Sequence, residues 1–287
     1  MVAIACERNA KTGALTTRSI FITGTSSGLG RHTAVHFARH GWNVAATLRD
    51  PGQETELQKH ERIRLFKLDV TDPAQARAAT EAAIDAFGQI DVVVNNAGAG
   101  SYGPLEFAEE HTIDWQFAVN VRGPINVIRA FLPHFRERKG GRFINFSSFM
   151  GVTTAVPTGS LYNMSKFALE GLIEGLYYEL KPFNIDLHLV EPGGFKGNRF
   201  VEKVVFSTHR EIRDYDPLID KVNAMMMSSD ESLRDDPQLI VDEIEALATG
   251  RSRRFRTLVG KTGKDLMEMR ASMPIEDYLS TLAKNFA

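Results

Sequence analysis

Cysteine is almost absent from this chain, since Cys6 is the only one among 287 residues. A single cysteine excludes an internal disulfide and indicates a reducing compartment rather than secretion. No stretch approaches the ~18 apolar residues that are needed to cross a bilayer. The apolar start Val2–Cys6 is too short for a signal peptide. We therefore expect a cytoplasmic protein with no membrane partner.

An excess of charge of one sign is also lacking. The chain has 34 Lys and Arg against 36 Asp and Glu, which gives a formal net charge of −2. General nucleic-acid binders carry a clear positive excess, so we expect no nucleic-acid partner. One short basic cluster could serve as a phosphate patch, although such runs usually lie on solvated faces. It consists of Arg251, Arg253, Arg254 and Arg256.

What recurs along the chain is a short apolar strand followed by a longer amphipathic helix. The strands are β-branched and unbroken rather than alternating, which indicates burial on both faces. This pattern predicts an α/β fold, a Rossmann-like doubly wound parallel sheet of about seven strands with helices on both faces. The predicted strands are Ser19–Thr23, Asn43–Thr47, Ile63–Leu68, Ile90–Val94, Gly141–Phe146, Ile185–Val190 and Phe255–Val259. The predicted helices are Gly28–His40, Pro73–Phe87, Ile113–Arg136, Leu161–Leu180 and one that begins at Pro237 after an Asp236 N-cap.

The domain organisation follows from where this alternation holds. We expect a loose N-terminal tail over residues 1–17 and a single domain over residues 18–287. The alternation breaks between residues 195 and 236. We interpret this segment as an insertion that covers the substrate.

A glycine-rich turn follows the first predicted strand. Glycines allow a sharp turn and bring backbone N–H groups close to a pyrophosphate at a helix N-terminus. Many α/β proteins need glycine there only for close packing, but the position after the first strand favours dinucleotide binding. The expected contacts are Gly24, Ser26, Ser27, Gly28, Leu29 and Gly30.

Four motifs, in a fixed order, make the chain resemble the short-chain dehydrogenase/reductase family. They are Thr23-Gly-x-x-x-Gly28-x-Gly30, Asn95-Asn96-Ala97-Gly98, a serine after a strand, and Tyr162-x-x-x-Lys166. The resemblance implies an oxidoreductase that interconverts a carbonyl and an alcohol on a small or medium apolar substrate. It also implies a homodimer or homotetramer, paired through Ile113–Arg136 and Leu161–Leu180, and gives no reason to expect a metal.

The coenzyme is predicted from the end of the second strand. NAD-specific relatives place a carboxylate there, which would repel a 2′-phosphate. Here that position is Leu48, and the guanidinium of Arg49 follows. We therefore expect NADP(H) to be preferred, with NAD(H) as the weaker alternative. The other interpretation is that Arg49 is a surface charge and Asp50 faces the ribose.

Further coenzyme contacts are implied by the resemblance alone. Asp69 and Val70 match the pair of residues that contacts the adenine in relatives, although Asp69 could instead be a strand-end cap. In relatives the segment that corresponds to Asn95–Gly98 lines the ribose. A turn after the sixth strand lies beside the nicotinamide, but the threonine that relatives have there is missing, so Asn198 or backbone groups would replace it. The residues implied are Asp69, Val70, Asn96, Ala97, Gly98, Pro192, Gly193 and Phe195.

Tyr162 and Lys166 form the expected proton-transfer pair, because residues four apart share one helix face. A free phenol has a pKa near ~10, and a neighbouring ammonium favours the phenolate. We therefore expect Tyr162 to act as general acid or base. The resemblance also assigns hydrogen bonds to the nicotinamide ribose to Lys166, and it places Tyr162 among the coenzyme-binding residues. As a bare pattern, the pair could equally be an amphipathic surface.

Ser148 and Asn120 complete the predicted catalytic set. A hydroxyl at the sheet edge can donate to a carbonyl oxygen as charge develops there. We favour Ser148 over Ser147, although one residue more than is usual in relatives separates it from Tyr162. Asn120 matches the asparagine that kinks the long helix and holds a relay water; a buried, backbone-satisfied asparagine is the plainer interpretation. The alternatives to an oxidoreductase are a non-catalytic dinucleotide sensor and a cofactor-recycling epimerase or dehydratase.

Overall fold

The computed structural model describes residues 6–8, 15–197, 203–209, 211–226 and 234–286. Its strands are β1 (Cys6–Arg8), β2 (Leu15–Thr17), β3 (Ser19–Thr23), β4 (Asn43–Leu48), β5 (Ile63–Lys67), β6 (Val92–Asn95), β7 (Ser101–Tyr102), β8 (Gly141–Phe146), β9 (Ile185–Pro192), β10 (Val205–Phe206) and β11 (Arg256–Val259). Its α-helices are α1 (Gly28–Arg39), α2 (Pro73–Phe87), α3 (Glu110–Phe117), α4 (Gly123–Arg138), α5 (Ser160–Leu180), α6 (Asp216–Met226), α7 (Pro237–Thr249), α8 (Lys261–Ser272) and α9 (Ile275–Ala283).

Seven strands form one parallel sheet in the order β11-β9-β8-β6-β3-β4-β5. The order reverses beside β3, so the loops after β3 and β6 diverge and leave a crevice at the carboxyl edge. The predicted doubly wound parallel sheet is therefore confirmed. The seven predicted strands correspond to the observed ones, with ends that differ by at most two residues.

Both faces of the sheet are covered because successive side chains of a strand point in opposite directions. On β3, Ile20 and Ile22 pack with α1 and α7, whereas Phe21 packs with α2, α4 and α5. The Phe21 and Phe131 rings meet edge to face with centroids 4.8 Å apart. Burial on two faces explains why the strand sequences are apolar throughout.

The start of α7 follows the predicted capping chemistry. Asp236 caps α7 by accepting a hydrogen bond from the Gln238 N–H at 2.8 Å, and Pro237 is the first helical residue, as predicted.

No helix within the described ranges is long and apolar enough to span a membrane.

The predicted continuous helix Ile113–Arg136 is corrected by the structure. It consists of α3, a wider π-helical turn at Ala118–Arg122, and α4. Asn120 lies in this turn, where its side chain bonds the backbone N–H and C=O of Ala99 instead of facing solvent. The helix is interrupted at Asn120, as predicted. The interruption is a π-helical turn because Asn120 bonds Ala99, a contact between distant parts of the chain.

The predicted insertion begins and ends beside the sheet. Phe195 pairs with Asp235, and β10 adds to β7, so the described middle of the insertion lies over the β6 loop. Parts of the predicted insertion, including Phe200, Arg210 and Met227, lie outside the described residues, as does Asn198. Within the predicted tail, β1 pairs antiparallel with β2. The domain limits themselves remain a prediction.

Candidate active site

A cavity of about 1550 Å³ lies along the carboxyl edge of the sheet. Loops after six of the parallel strands line it, together with parts of the insertion and of the C-terminal helices. Every predicted coenzyme-binding residue lines this one cavity, as do three of the four predicted catalytic residues. They are Gly24, Ser26, Ser27, Gly28, Leu29, Gly30, Arg49, Asp69, Val70, Asn96, Ala97, Gly98, Ser148, Tyr162, Lys166, Pro192, Gly193 and Phe195.

The glycine-rich turn combines close packing with open space. A Cβ at Gly30 would lie 2.4 Å from Asn96 Nδ2 and 2.5 Å from the Gly24 carbonyl oxygen. Asn96 Nδ2 in turn donates to the carbonyl oxygens of Thr23 at 2.8 Å and Gly24 at 3.1 Å. At Gly28, with φ +57°, a Cβ would meet nothing within 4 Å. Packing therefore explains Gly30, whereas Gly28 faces space that an anion can fill.

The N-terminus of α1 lines this space. The first turn of a helix has N–H groups without an intrahelical acceptor and a partial positive charge. Ser27, the N-cap residue, makes no side-chain capping bond. Its Oγ instead accepts a hydrogen bond from Lys203 Nζ at 2.7 Å. The uncapped amides and this ammonium make the turn suitable for a pyrophosphate.

The end of β4 distinguishes the two interpretations of Arg49. Arg49 is exposed and lines the cavity beside the buried Leu48, whereas Asp50 is not among the lining residues. The Asp50 carboxylate accepts a hydrogen bond from Gln53 Nε2 at 2.6 Å. The guanidinium, not the carboxylate, is therefore the charge available at this end of the cavity.

Asp69 has the strand-end role suggested for it and also lies at the cavity. Its Oδ1 accepts hydrogen bonds from the Thr71 backbone N–H at 3.0 Å and from Thr71 Oγ1 at 2.7 Å. These bonds shape the turn after β5, which is the strand-end role. The residue also lines the cavity, so a contact with a bound adenine stays a prediction.

The predicted catalytic hydroxyls meet at the inner end of the cavity. Tyr162 is 8% exposed on the first turn of α5. Burial raises the pKa of Tyr162 to about 12, and a hydrogen bond with the Ser148 hydroxyl acts in the opposite direction. Ser148 Oγ also accepts from the Met150 backbone N–H at 3.1 Å. Ser148, and not Ser147, is therefore joined to Tyr162.

Lys166 lies one turn further along α5 and is 5% exposed. Its Nζ donates to the Phe146 carbonyl oxygen at 2.8 Å and lies 5.8 Å from the centre of the Tyr162 ring. Burial lowers the pKa of Lys166 to about 8, and the Glu170 carboxylate opposes that shift. We expected Lys166 to lower the pKa of Tyr162, but in the protein alone burial of the phenol outweighs any such effect.

Asn120 does not line the cavity, and its side chain is used by the protein itself. Nδ2 donates to the Ala99 carbonyl oxygen at 2.8 Å and to Ser165 Oγ at 3.0 Å, while Oδ1 accepts from the Ala99 N–H at 2.9 Å. A Cβ at Gly98 would lie 3.6 Å from Asn120 Oδ1 and 3.8 Å from Lys166 Nζ. The structural role is thus observed, and a relay water near Lys166 stays a prediction.

Sequence reasoning missed several lining residues because no local motif marks them. Lys203 reaches the phosphate loop from the insertion, and a mostly apolar far wall comes from α3, α6 and the two C-terminal helices. Lys221, Met225 and Met226 of this wall belong to the insertion that was predicted to cover the substrate. The residues that were missed include Trp115, Thr262, Leu266, Leu282, Asn285 and Phe286. In the basic cluster, Arg251 pairs with Glu245 and Arg256 with Glu170.

Comparison with known proteins agrees with this geometry. The profile described as short chain dehydrogenase matches residues 18–205. The 3-ketodihydrosphingosine reductase of Bacteroides thetaiotaomicron is 39% identical over 189 residues, covering 64% of this chain and 68% of that protein. A short-chain dehydrogenase from Streptomyces avermitilis superposes with a TM-score of 0.82 at 29% identity, over 94% of this chain and 97% of its own. A metagenomic short-chain oxidoreductase in complex with NADP superposes with a TM-score of 0.64 at 27% identity, over 84% of this chain and 96% of its own.

The matched region contains all the strand ends that carry the family motifs, and the structure brings those motifs to one cavity. The chain therefore belongs to the short-chain dehydrogenase/reductase family, oxidoreductases that act on CH–OH and C=O groups with NAD(P).

Proposed function

We propose that this protein is an NADP(H)-dependent reductase that converts a carbonyl on a small or medium, largely apolar substrate to an alcohol, or catalyses the reverse reaction. The observation that carries the proposal is the contact between Ser148 and Tyr162, beside Lys166, in the same cavity as an open phosphate loop. The apolar far wall supports an apolar substrate.

The cavity residues fit the coenzyme. The α1 amides and Lys203 would hold the pyrophosphate, and Arg49 would hold the 2′-phosphate in bidentate fashion. The NADP complex of the metagenomic relative supports the same preference. When bound, the nicotinamide supplies or accepts the hydride.

The three side chains divide the remaining chemistry. The Ser148 hydroxyl donates to the substrate oxygen and stabilises the negative charge that develops there. Because burial raises the pKa of Tyr162 to about 12, its Oη is protonated at neutral pH and can donate that proton to the oxygen. The Lys166 ammonium, held by the Phe146 carbonyl, stabilises the phenolate that remains. Oxidation needs the phenolate first, so it should be favoured at higher pH.

A screen of varied ketones for NADPH oxidation tests the function. Turnover with consumption of NADPH supports the proposal. Turnover without net consumption would instead indicate an epimerase or dehydratase. Dinucleotide binding without any turnover would indicate a sensor.

Replacing Arg49 with alanine should weaken NADPH binding by about 10- to 100-fold and NADH binding far less, because only the 2′-phosphate loses a charge-assisted pair. Dissociation constants for both coenzymes measure the effect. Asp50→Asn is the matched control and should change neither constant appreciably. Equal losses for NADPH and NADH in Arg49→Ala would refute the assignment.

Replacing Lys203 with glutamine should weaken both coenzymes alike, by roughly threefold to tenfold, since the ammonium beside Ser27 would meet the pyrophosphate that they share. Lys196→Gln, exposed and outside the cavity lining, is the control. A loss confined to NADPH would place Lys203 at the 2′-phosphate instead.

We also propose a homodimer or homotetramer paired through α4 and α5. The described surface of α5 supports this, because Met164, Phe167 and Tyr178 are 43%, 36% and 79% exposed on one helix.

A further inference from the structure

Two glutamates without a role in the proposed reaction are buried behind Lys166. Glu170 follows Lys166 by four residues on α5, so the two side chains share one helix face. Glu170 is 5% exposed. Glu191 is on β9, directly before Pro192, and has no exposed surface. Burying a carboxyl group is costly unless it is paired or neutral, so this arrangement calls for a physical reason.

One guanidinium serves both carboxyl groups. Arg256, on β11, places Nη2 2.8 Å from Glu170 Oε2 and Nε 2.8 Å from Glu191 Oε1. Its Nη2 also lies 2.9 Å from Oε1 of the more exposed Glu174. Glu170 Oε1 and both carboxyl oxygens of Glu191 are buried without a hydrogen-bond donor among the described residues, since the short contact of Arg256 Nε with Glu191 Oε1 is an ion pair without hydrogen-bond geometry. The single guanidinium does not supply enough hydrogen-bond donors for two buried carboxyl groups. A proton on one of the carboxyl groups supplies the missing donor.

Glu191 is the group that holds this proton. Two buried carboxyl groups in contact cannot both ionise. Burial, together with the neighbouring Glu170, raises the pKa of Glu191 to about 9, whereas Arg256 opposes that shift. Glu191, which has no exposed surface, is therefore held as a neutral acid beside the Glu170 carboxylate. Glu170 lies one helical turn from Lys166 on α5, whereas Glu191 lies on β9. The charge of Glu170 is therefore the one that acts on the Lys166 amine.

We propose that Glu170 is a positioning residue for the reaction and that its carboxylate keeps Lys166 in the ammonium form beside Tyr162. The neighbouring Glu191 adds no second negative charge, and Arg256 holds both carboxyl groups in place. The inference rests on the proposed roles of Tyr162 and Lys166.

The groups around these residues define the pH response. Lys166 faces Tyr162 and Glu170 on α5, the Phe146 carbonyl on β8, and the loop at Gly98. Glu170 faces Glu174 on its own helix, Glu191 on β9, Arg256 on β11, and the uncharged Gly151 loop. Glu170 is thus the carboxylate that opposes the effect of burial on Lys166.

The sign of the effect follows. Burial lowers the pKa of Lys166 to about 8, and the Glu170 carboxylate raises it. Removing that charge lowers the pKa of Lys166 further, so the ammonium is lost at a lower pH. The alkaline limb of the pH profile for ketone reduction should then move to lower pH.

The test is the pH dependence of kcat for NADPH-dependent ketone reduction in a set of amide variants. Glu170→Gln should move the alkaline limb down by about one pH unit. Glu191→Gln replaces a neutral acid with a neutral amide of the same shape, so the limb should stay in place. Glu174→Gln, which removes the charge of the exposed partner of Arg256, should also leave the alkaline limb in place. Glu170→Asp, whose charge lies one methylene farther away, should give an intermediate position.

An unmoved limb in Glu170→Gln, or an equal shift in Glu191→Gln, would overturn the inference. If Glu170→Gln does not fold, as circular dichroism would show, Glu170→Asp carries the test, and an unmoved limb there has the same meaning. Tyr162→Phe is measured in parallel. Full activity of that variant would refute the proposed function, whereas an inactive Tyr162→Phe with an unmoved Glu170→Gln limb refutes only the role of Glu170.

Discussion

Replacing Tyr162 with phenylalanine should lower kcat for ketone reduction by about 10²- to 10⁴-fold, the usual contribution of a general acid. The change removes only the buried hydroxyl that bonds Ser148 and leaves the ring in place. The affinity for NADPH should change little, because the phosphate loop is untouched. Steady-state kinetics and coenzyme titration measure the two effects separately.

Tyr102→Phe is the matched control for this substitution. Tyr102 is 6% exposed, lines the same cavity, and stacks on Tyr162 with ring centroids 5.9 Å apart. It therefore loses a hydroxyl from a comparable environment, but one without a proposed part in proton transfer. We expect this variant to keep most of its activity. Equal rates for the two variants would contradict a proton transfer by Tyr162.

Replacing Gly30 with alanine should abolish productive coenzyme binding. The added Cβ would lie within 2.5 Å of both Asn96 Nδ2 and the Gly24 carbonyl oxygen. The second of these atoms is backbone, so the loop must shift. Such overpacking costs about 1–3 kcal/mol of unfolding free energy, and a displacement of about 1 Å can lower kcat/KM by roughly 100-fold.

Gly171→Ala is the control for the glycine substitution. This glycine is on α5, and a Cβ there would meet nothing within 4 Å. Alanine is favoured over glycine in a helix by about 0.5–1 kcal/mol, so this variant should be slightly more stable. Thermal unfolding and NADPH titration check both variants. Normal NADPH binding by Gly30→Ala would show that the turn does not hold the coenzyme.

The secondary structure was largely predictable because its signals are local. The apolar run Ser19–Thr23 and the Asp236-Pro237 helix start each contain the residues that determine them. The π-helical turn at Ala118–Arg122 could not be predicted in form. Bonds from Asn120 to Ala99 and Ser165 stabilise it, and these partners come together only in the folded chain.

The candidate site divides in the same way. The motif residues were recognisable because the short motifs occur in a fixed order along the chain. Lys203 was not, since it meets Ser27 across 176 positions of sequence. The Tyr/Lys spacing shows the neighbouring cation but not the burial, which raises the pKa of Tyr162 in the protein alone.

A crystal structure with bound NADP⁺ tests the central claim most directly. We expect the pyrophosphate at the N-terminus of α1, the 2′-phosphate at Arg49, and the nicotinamide beside the paired hydroxyls of Ser148 and Tyr162. A Tyr162 hydroxyl that points away from the nicotinamide ring would contradict the proposed proton transfer.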